Sequence, residues 1–124
     1  MTDVVTLQLP RERDFFGVAH LVLGGLGARL ELTYDVLEDM TTAIDELLNR
    51  RESSDDVTLT VKIEDEALVA TVGPFGGGVA DELHGSDEEL GLRRVLETAV
   101  DKVEVSERDD GQWVELRKNV GIIR

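Results

Sequence analysis

The sequence predicts an α+β two-layer sandwich, with a mixed, mainly antiparallel sheet and helices on one face. Three observations carry this. Period-two apolar runs occur as neighbours, two segments with helical apolar spacing follow one another directly, and a glycine-rich stretch separates a third helical segment from a closing pair of strands. The resulting order, β-α-α-β-β-loop-α-β-β, groups strands with strands and helices with helices, which disfavours a doubly wound parallel sheet. At 124 residues and 41% apolar content, the chain fits one domain over 1–124 with a single core.

Val4 to Leu9 is a β-rich run stopped by Pro10, a residue that suits an edge strand because it has no N–H to give to a neighbour. From Arg11 the apolar positions Phe15, Phe16, Ala19, Val22 and Leu23 recur at helical spacing, and Gly24, Gly25 and Gly27 are expected to end that helix. Thr33 can cap the next helix, Thr33 to Arg50, by accepting a bond from an unpaired first-turn N–H. Its buried stripe is Leu37, Met40, Ile44, Leu47 and Leu48. At ~100° per residue Glu46 lies about 200° around from Ile44, so it points away from the stripe with Thr42, Asn49 and Arg50.

Val57 to Ile63 alternates, Asp65 and Glu66 supply a turn, and Leu68 to Val72 resumes an apolar run: two antiparallel strands. The stretch from Gly73 onward, with Pro74, Gly76, Gly77, Gly78 and Gly85, reads as a mobile, lid-like loop over 73–89. Ser86 and Glu89 form a capping-box pattern, so a third helix is expected from near Asp87, with Leu92, Val95, Leu96, Ala99 and Val100 as its stripe. Val103 to Ser106 and Trp113 to Leu116 close the chain as a hairpin across a polar turn.

A formal charge of -14, from 27 acidic and 13 basic residues, repels phosphate backbones and anionic lipid and so argues against nucleic-acid binding. Its ordinary role is solubility, favoured over attraction to one basic partner. The absence of cysteine removes disulfides, thiolate metal sites and cysteine nucleophiles, and fits a reducing compartment; cytoplasmic location is the expectation. No leader pattern opens the chain, and the apolar stretch from Phe15 to Leu26 is too short and too interrupted to span a bilayer. No metal site is expected. His20 and His84 stand apart in sequence, and Ser53-Ser54 has no base pattern beside it.

Taken together, L-T-Y-D-V-L-E-D-M-T-T-A-I-D-E-L-L-N, the segment Gly91 to Val103 and the segment Gly111 to Lys118 resemble the anti-sigma regulatory factors, a serine-protein kinase family. These proteins have the histidine-kinase-like, Bergerat-type ATPase fold. The resemblance covers nearly the whole chain in order, although each motif alone is weak. It implies a bacterial regulator of transcription that binds a sigma factor and an anti-sigma-factor antagonist, with homodimerisation as a further expectation. In active members a helix glutamate is the base that deprotonates a substrate serine, and the residue four positions on is an asparagine that helps hold magnesium.

Carried over, the resemblance makes Glu46 the base and puts Arg50 at the metal position, with Asn49 one residue early. A guanidinium does not ligate magnesium; it can contact phosphate directly, or it is solvated or paired with Glu46 at i, i+4. The family's adenine-binding aspartate falls at Gly73, in Gly73-Pro74-Phe75-Gly76-Gly77, where Phe75 is either a stacking surface for a base or a hydrophobic plug. At the phosphate-binding turn only Gly91-Leu92 remains of the usual Gly-x-Gly-Leu, with Glu89 at the first glycine and Asp87 and Glu88 beside it, where a triphosphate would meet like charge.

The resemblance therefore implies a nucleotide site built from Asn49, Arg50, Gly73, Gly76, Gly77, Gly91 and Leu92 that is degenerate at metal, base and phosphate contacts. No cofactor is expected to be held tightly; ATP and magnesium are the cofactors if the site works. Arg11 and Arg13, at the start of the first helix, are candidate partner contacts or an exposed cationic turn.

Overall fold

A computed structural model describes residues 4–10, 13–49, 56–75 and 92–120. Strand β1 (Val4–Pro10) leads through a short 3-10 turn (Arg13–Phe15) into helix α1 (Phe16–Leu30), which is followed by α2 (Tyr34–Leu48). Strands β2 (Asp56–Glu64) and β3 (Ala67–Phe75), helix α3 (Leu92–Ala99), and strands β4 (Lys102–Arg108) and β5 (Gly111–Asn119) complete the described chain.

The five strands form one sheet in the order β1-β2-β3-β5-β4, and each described pair is antiparallel. Both hairpins turn on two residues. Asp65 and Glu66 take positive φ values of 51° and 59°, the left-handed pair that matches strand twist, and Asp109-Asp110 joins β4 to β5. β1 is an edge strand, as its terminal proline implies.

Period two puts Val57, Leu59 and Val61 of β2, Leu68, Ala70 and Val72 of β3, and Val114 and Leu116 of β5 on one face of the sheet. All are buried in one cluster with Ala19 and Leu23 of α1, Met40, Ala43, Ile44, Leu47 and Leu48 of α2, and Leu92 and Leu96 of α3. Burying side chains of this size contributes roughly 1.5–3 kcal/mol each. Thr33 caps α2 by accepting the Val36 N–H at 3.3 Å. Lys118 of β5 reaches Asp39 of α2 at 3.1 Å, tying that helix to the sheet.

Two expectations are corrected. Helix α1 does not stop at its glycines; it runs to Leu30 and ends where Glu31 adopts a left-handed φ of 55° and the Leu32 N–H bonds back to the Gly27 carbonyl at 2.9 Å. Gly27 serves packing, because a Cβ there would overlap the Leu37 side chain on α2. The stretch beginning at Gly73 is not loop throughout, since β3 continues to Phe75, with the register against β5 shifting between Val72 and Phe75. Such a shift is a place where a sheet tolerates a proline, here Pro74 after a cis bond. Most of the predicted lid, and the Ser86–Glu89 cap, lie outside the described residues.

Candidate functional site

Helix α2 presents two consecutive carboxylates near its C-terminal end. Asp45 and Glu46 are both half-buried. Asp45 turns toward α1, where its Oδ1 lies 2.7 Å from His20 Nε2. Glu46 projects about 100° further around the helix. Asn49 follows Leu48 as the exposed C-cap of the helix, its N–H bonded to the Asp45 carbonyl at 2.9 Å. Glu46 and Asn49 thus lie within one turn of each other at the end of α2, while Arg50 lies outside the described residues.

The end of β3 is built differently from a polar site. A side chain at Gly73 would overlap the Trp113 indole, so this position faces the side of the sheet away from the helices. Trp113 is held there from two directions: its Nε1–H donates to Asp110 Oδ1 at 2.8 Å, and the Arg108 guanidinium stacks 4.4 Å from the ring centroid. The helix-directed residue at this strand end is Phe75, 2% exposed and part of the central core cluster. It is therefore the plug of the two roles open to it. The sheet separates Gly73 from Glu46, so the structure does not bring these two predicted residues together.

Leu92 opens α3 fully buried, its side chain in the core rather than at a surface turn. Gly76, Gly77, Gly91 and Arg11 lie outside the described residues, and Arg13 is described only as the first residue of the 3-10 turn. Two features were missed from sequence. The His20–Asp45 pair joins residues 25 apart and was invisible to local spacing. Gln112, paired with Phe75 across β3 and β5, has a buried Oε1 without a partner among the described residues. Among the described residues no group of acidic or histidine side chains could hold a metal ion, and no helix is long and apolar enough to cross a membrane.

No family model matches the chain. It is similar to the serine-protein kinase RsbW of Listeria innocua, 26% identical over 106 residues that cover 80% of this chain and 66% of that protein. The RsbW of Listeria monocytogenes matches with the same identity and coverage, and that of Bacillus velezensis is 34% identical over 44 residues, 36% of this chain and 28% of that one. The chain thus spans just under two thirds of the length of the Listeria proteins it matches. In fold it matches the crystal structure of the RsbU and RsbW domains of Rv1364c from Mycobacterium tuberculosis, with a TM-score of 0.72 and 14% identity. That match covers 95% of this chain and 32% of that one.

Proposed function

We propose that the chain is an anti-sigma-factor-type regulatory protein of the cytoplasm. In this reading it acts in transcription control by binding a sigma factor, an anti-sigma-factor antagonist, or both, through a fold whose ATP site is degenerate. The observation that supports this is the end of β3. An adenine-binding aspartate at Gly73 would collide with Trp113, and the residue aimed at the helices, Phe75, is an apolar side chain sunk in the core. A site lacking a built-in hydrogen-bonding group loses on the order of several kcal/mol of discrimination for its ligand.

A second reading is a serine protein kinase with Glu46 as base and ATP and magnesium held in a modified way. Two observations favour it: Glu46 is a half-buried carboxylate on α2, and the relatives are named serine-protein kinases.

Calorimetry with Mg-ATP separates the two. The regulatory reading expects no heat of binding and no thermal shift at millimolar nucleotide. A nucleotide present at ~100 times its Kd would add about 2.7 kcal/mol to stability and be plainly visible. Nucleotide binding with transfer of phosphate to an antagonist domain, abolished in Glu46→Gln, would overturn the first reading in favour of the second. Failure to bind any sigma factor or antagonist-type domain in an equilibrium screen would sink the regulatory reading itself.

A further inference from the structure

His20 is the only nucleophilic side chain on helix α1, and neither functional reading uses it. Its side chain is 45% exposed, and its Nε2 lies 2.7 Å from Asp45 Oδ1 on α2. A carboxylate accepts hydrogen bonds and does not donate them, so the neutral ring keeps its proton on Nε2 and its lone pair on Nδ1. Nδ1 has no partner among the described residues. The neighbours one turn away on the helix surface, Gly17 and Gly24, are exposed and have open space where a Cβ would stand. The ring is therefore open to approach from both ends of the helix. No Asp or Glu occurs between Phe16 and Leu30, although the chain carries a formal charge of -14, so an anionic reagent meets no carboxylate on α1 itself.

A histidine nitrogen with a carboxylate bonded across the ring is equipped for nucleophilic attack. The acid fixes the tautomer and then stabilises the imidazolium that forms. We propose that His20 is a phosphoryl-acceptor site, modified at Nδ1 by an N-phosphoryl donor of the phosphoramidate class. The Nδ1 lone pair attacks phosphorus and forms the new N–P bond, while the donor's own P–N bond breaks and its electron pair leaves on the amine. With phosphoramidate itself the amine nitrogen is already protonated and departs as ammonia, so no other group has to move a proton. Nε2 keeps its hydrogen, and the positive charge gained by the ring faces Asp45.

The modification places a dianion on a helix that has no acidic side chain of its own, beside the exposed apolar residues Val18 and Leu21. The inference is independent of whether the chain's own nucleotide site works, because the phosphoryl group arrives from outside.

The chain has two histidines, His20 and His84, so labelling with phosphoramidate followed by mass spectrometry and peptide mapping assigns the site. The native protein is expected to gain one phosphoryl group at His20, lost in acid and kept in alkali as an N–P bond requires. Labelling should persist in His84→Gln and vanish in His20→Gln. Unfolding in urea, or Asp45→Ala with the fold intact by circular dichroism, should slow labelling of His20 about tenfold, short of the ~10⁴ typical of a buried triad because this pair is exposed. Nitrogen NMR shifts of the His20 ring read the tautomer directly, and Asp45→Ala should turn the Nε2–H form into a mixture. Equal rates at His20 and His84, a His20 rate unaffected by urea and by Asp45→Ala, or no acid-labile label at His20 would each overturn the proposal, since His20 would then be an ordinary exposed imidazole.

Discussion

Truncating Phe75 to alanine asks whether the end of β3 belongs to the core or to a surface loop. A buried aromatic removes ~150–250 Å² from water, worth about 4–6 kcal/mol at ~25 cal/mol per Å² as an upper estimate. Alanine retains the Cβ, and the surroundings relax only in part, so the expected loss is about 3–5 kcal/mol. With an unfolding entropy of ~2.1 cal/mol/K per residue, 124 residues convert this to a fall in Tm of roughly 12–20 °C. Urea unfolding followed by circular dichroism measures the free energy directly. If Phe75→Ala leaves too little native protein, Phe75→Leu supplies a milder step of about 1–2 kcal/mol. A loss below ~1 kcal/mol for the alanine variant would mean that Phe75 does not fill the core, because exposed positions usually change stability by less than about 0.5 kcal/mol. The account of the blocked strand end would then fail with it.

The glycines of α1 are expected to respond to alanine in opposite directions. At Gly24, where a Cβ meets open space, Ala should stabilise the dilute protein by about 0.5–1 kcal/mol through helix propensity; at Gly27 it should destabilise, because Leu37 must move. Equal gains at both positions in thermal unfolding would contradict the close approach of α1 and α2. Glu64 titrates below the ordinary glutamate range, first because Lys62 hydrogen-bonds its carboxylate and then because Arg117 does. Its pKa being lowered on folding, its small contribution is present above the unfolded-state pKa and is lost as pH falls through the folded value. An NMR titration of the Glu64 carboxyl carbon should show a midpoint that rises toward the ordinary value in Lys62→Met; an unmoved midpoint would refute the assignment of cause.

Much of the sheet was legible because its code is local. Alternation in Val57 to Ile63 and the Asp65-Glu66 turn specify strand, face and hairpin without reference to the rest of the chain. The Thr33 cap and the stripe through Met40, Ile44 and Leu47 were readable for the same reason. What failed was glycine and proline, whose meaning depends on neighbours distant in sequence. Gly27 looked like a stop signal until Leu37 was seen against it, and Gly73-Pro74 looked like loop until Trp113 was seen covering the strand.

The candidate site divided along the same line. Glu46 and Asn49 share a helix end because 3.6-residue geometry requires it, whereas the outward direction of Gly73 follows from tertiary pairing of β3 with β5. The family resemblance implied an adenine contact at the end of β3. It could not show that the strand end points its one large side chain inward and closes its other face with an indole.

That indole is the chain's only tryptophan, packed on Gly73, stacked by Arg108 and hydrogen-bonded to Asp110. The protein therefore carries a native optical reporter at the strand end on which its functional reading turns. Excitation of Trp113 samples one environment rather than an average, so a ligand or partner that shifts the end of β3 registers in its emission without any added label.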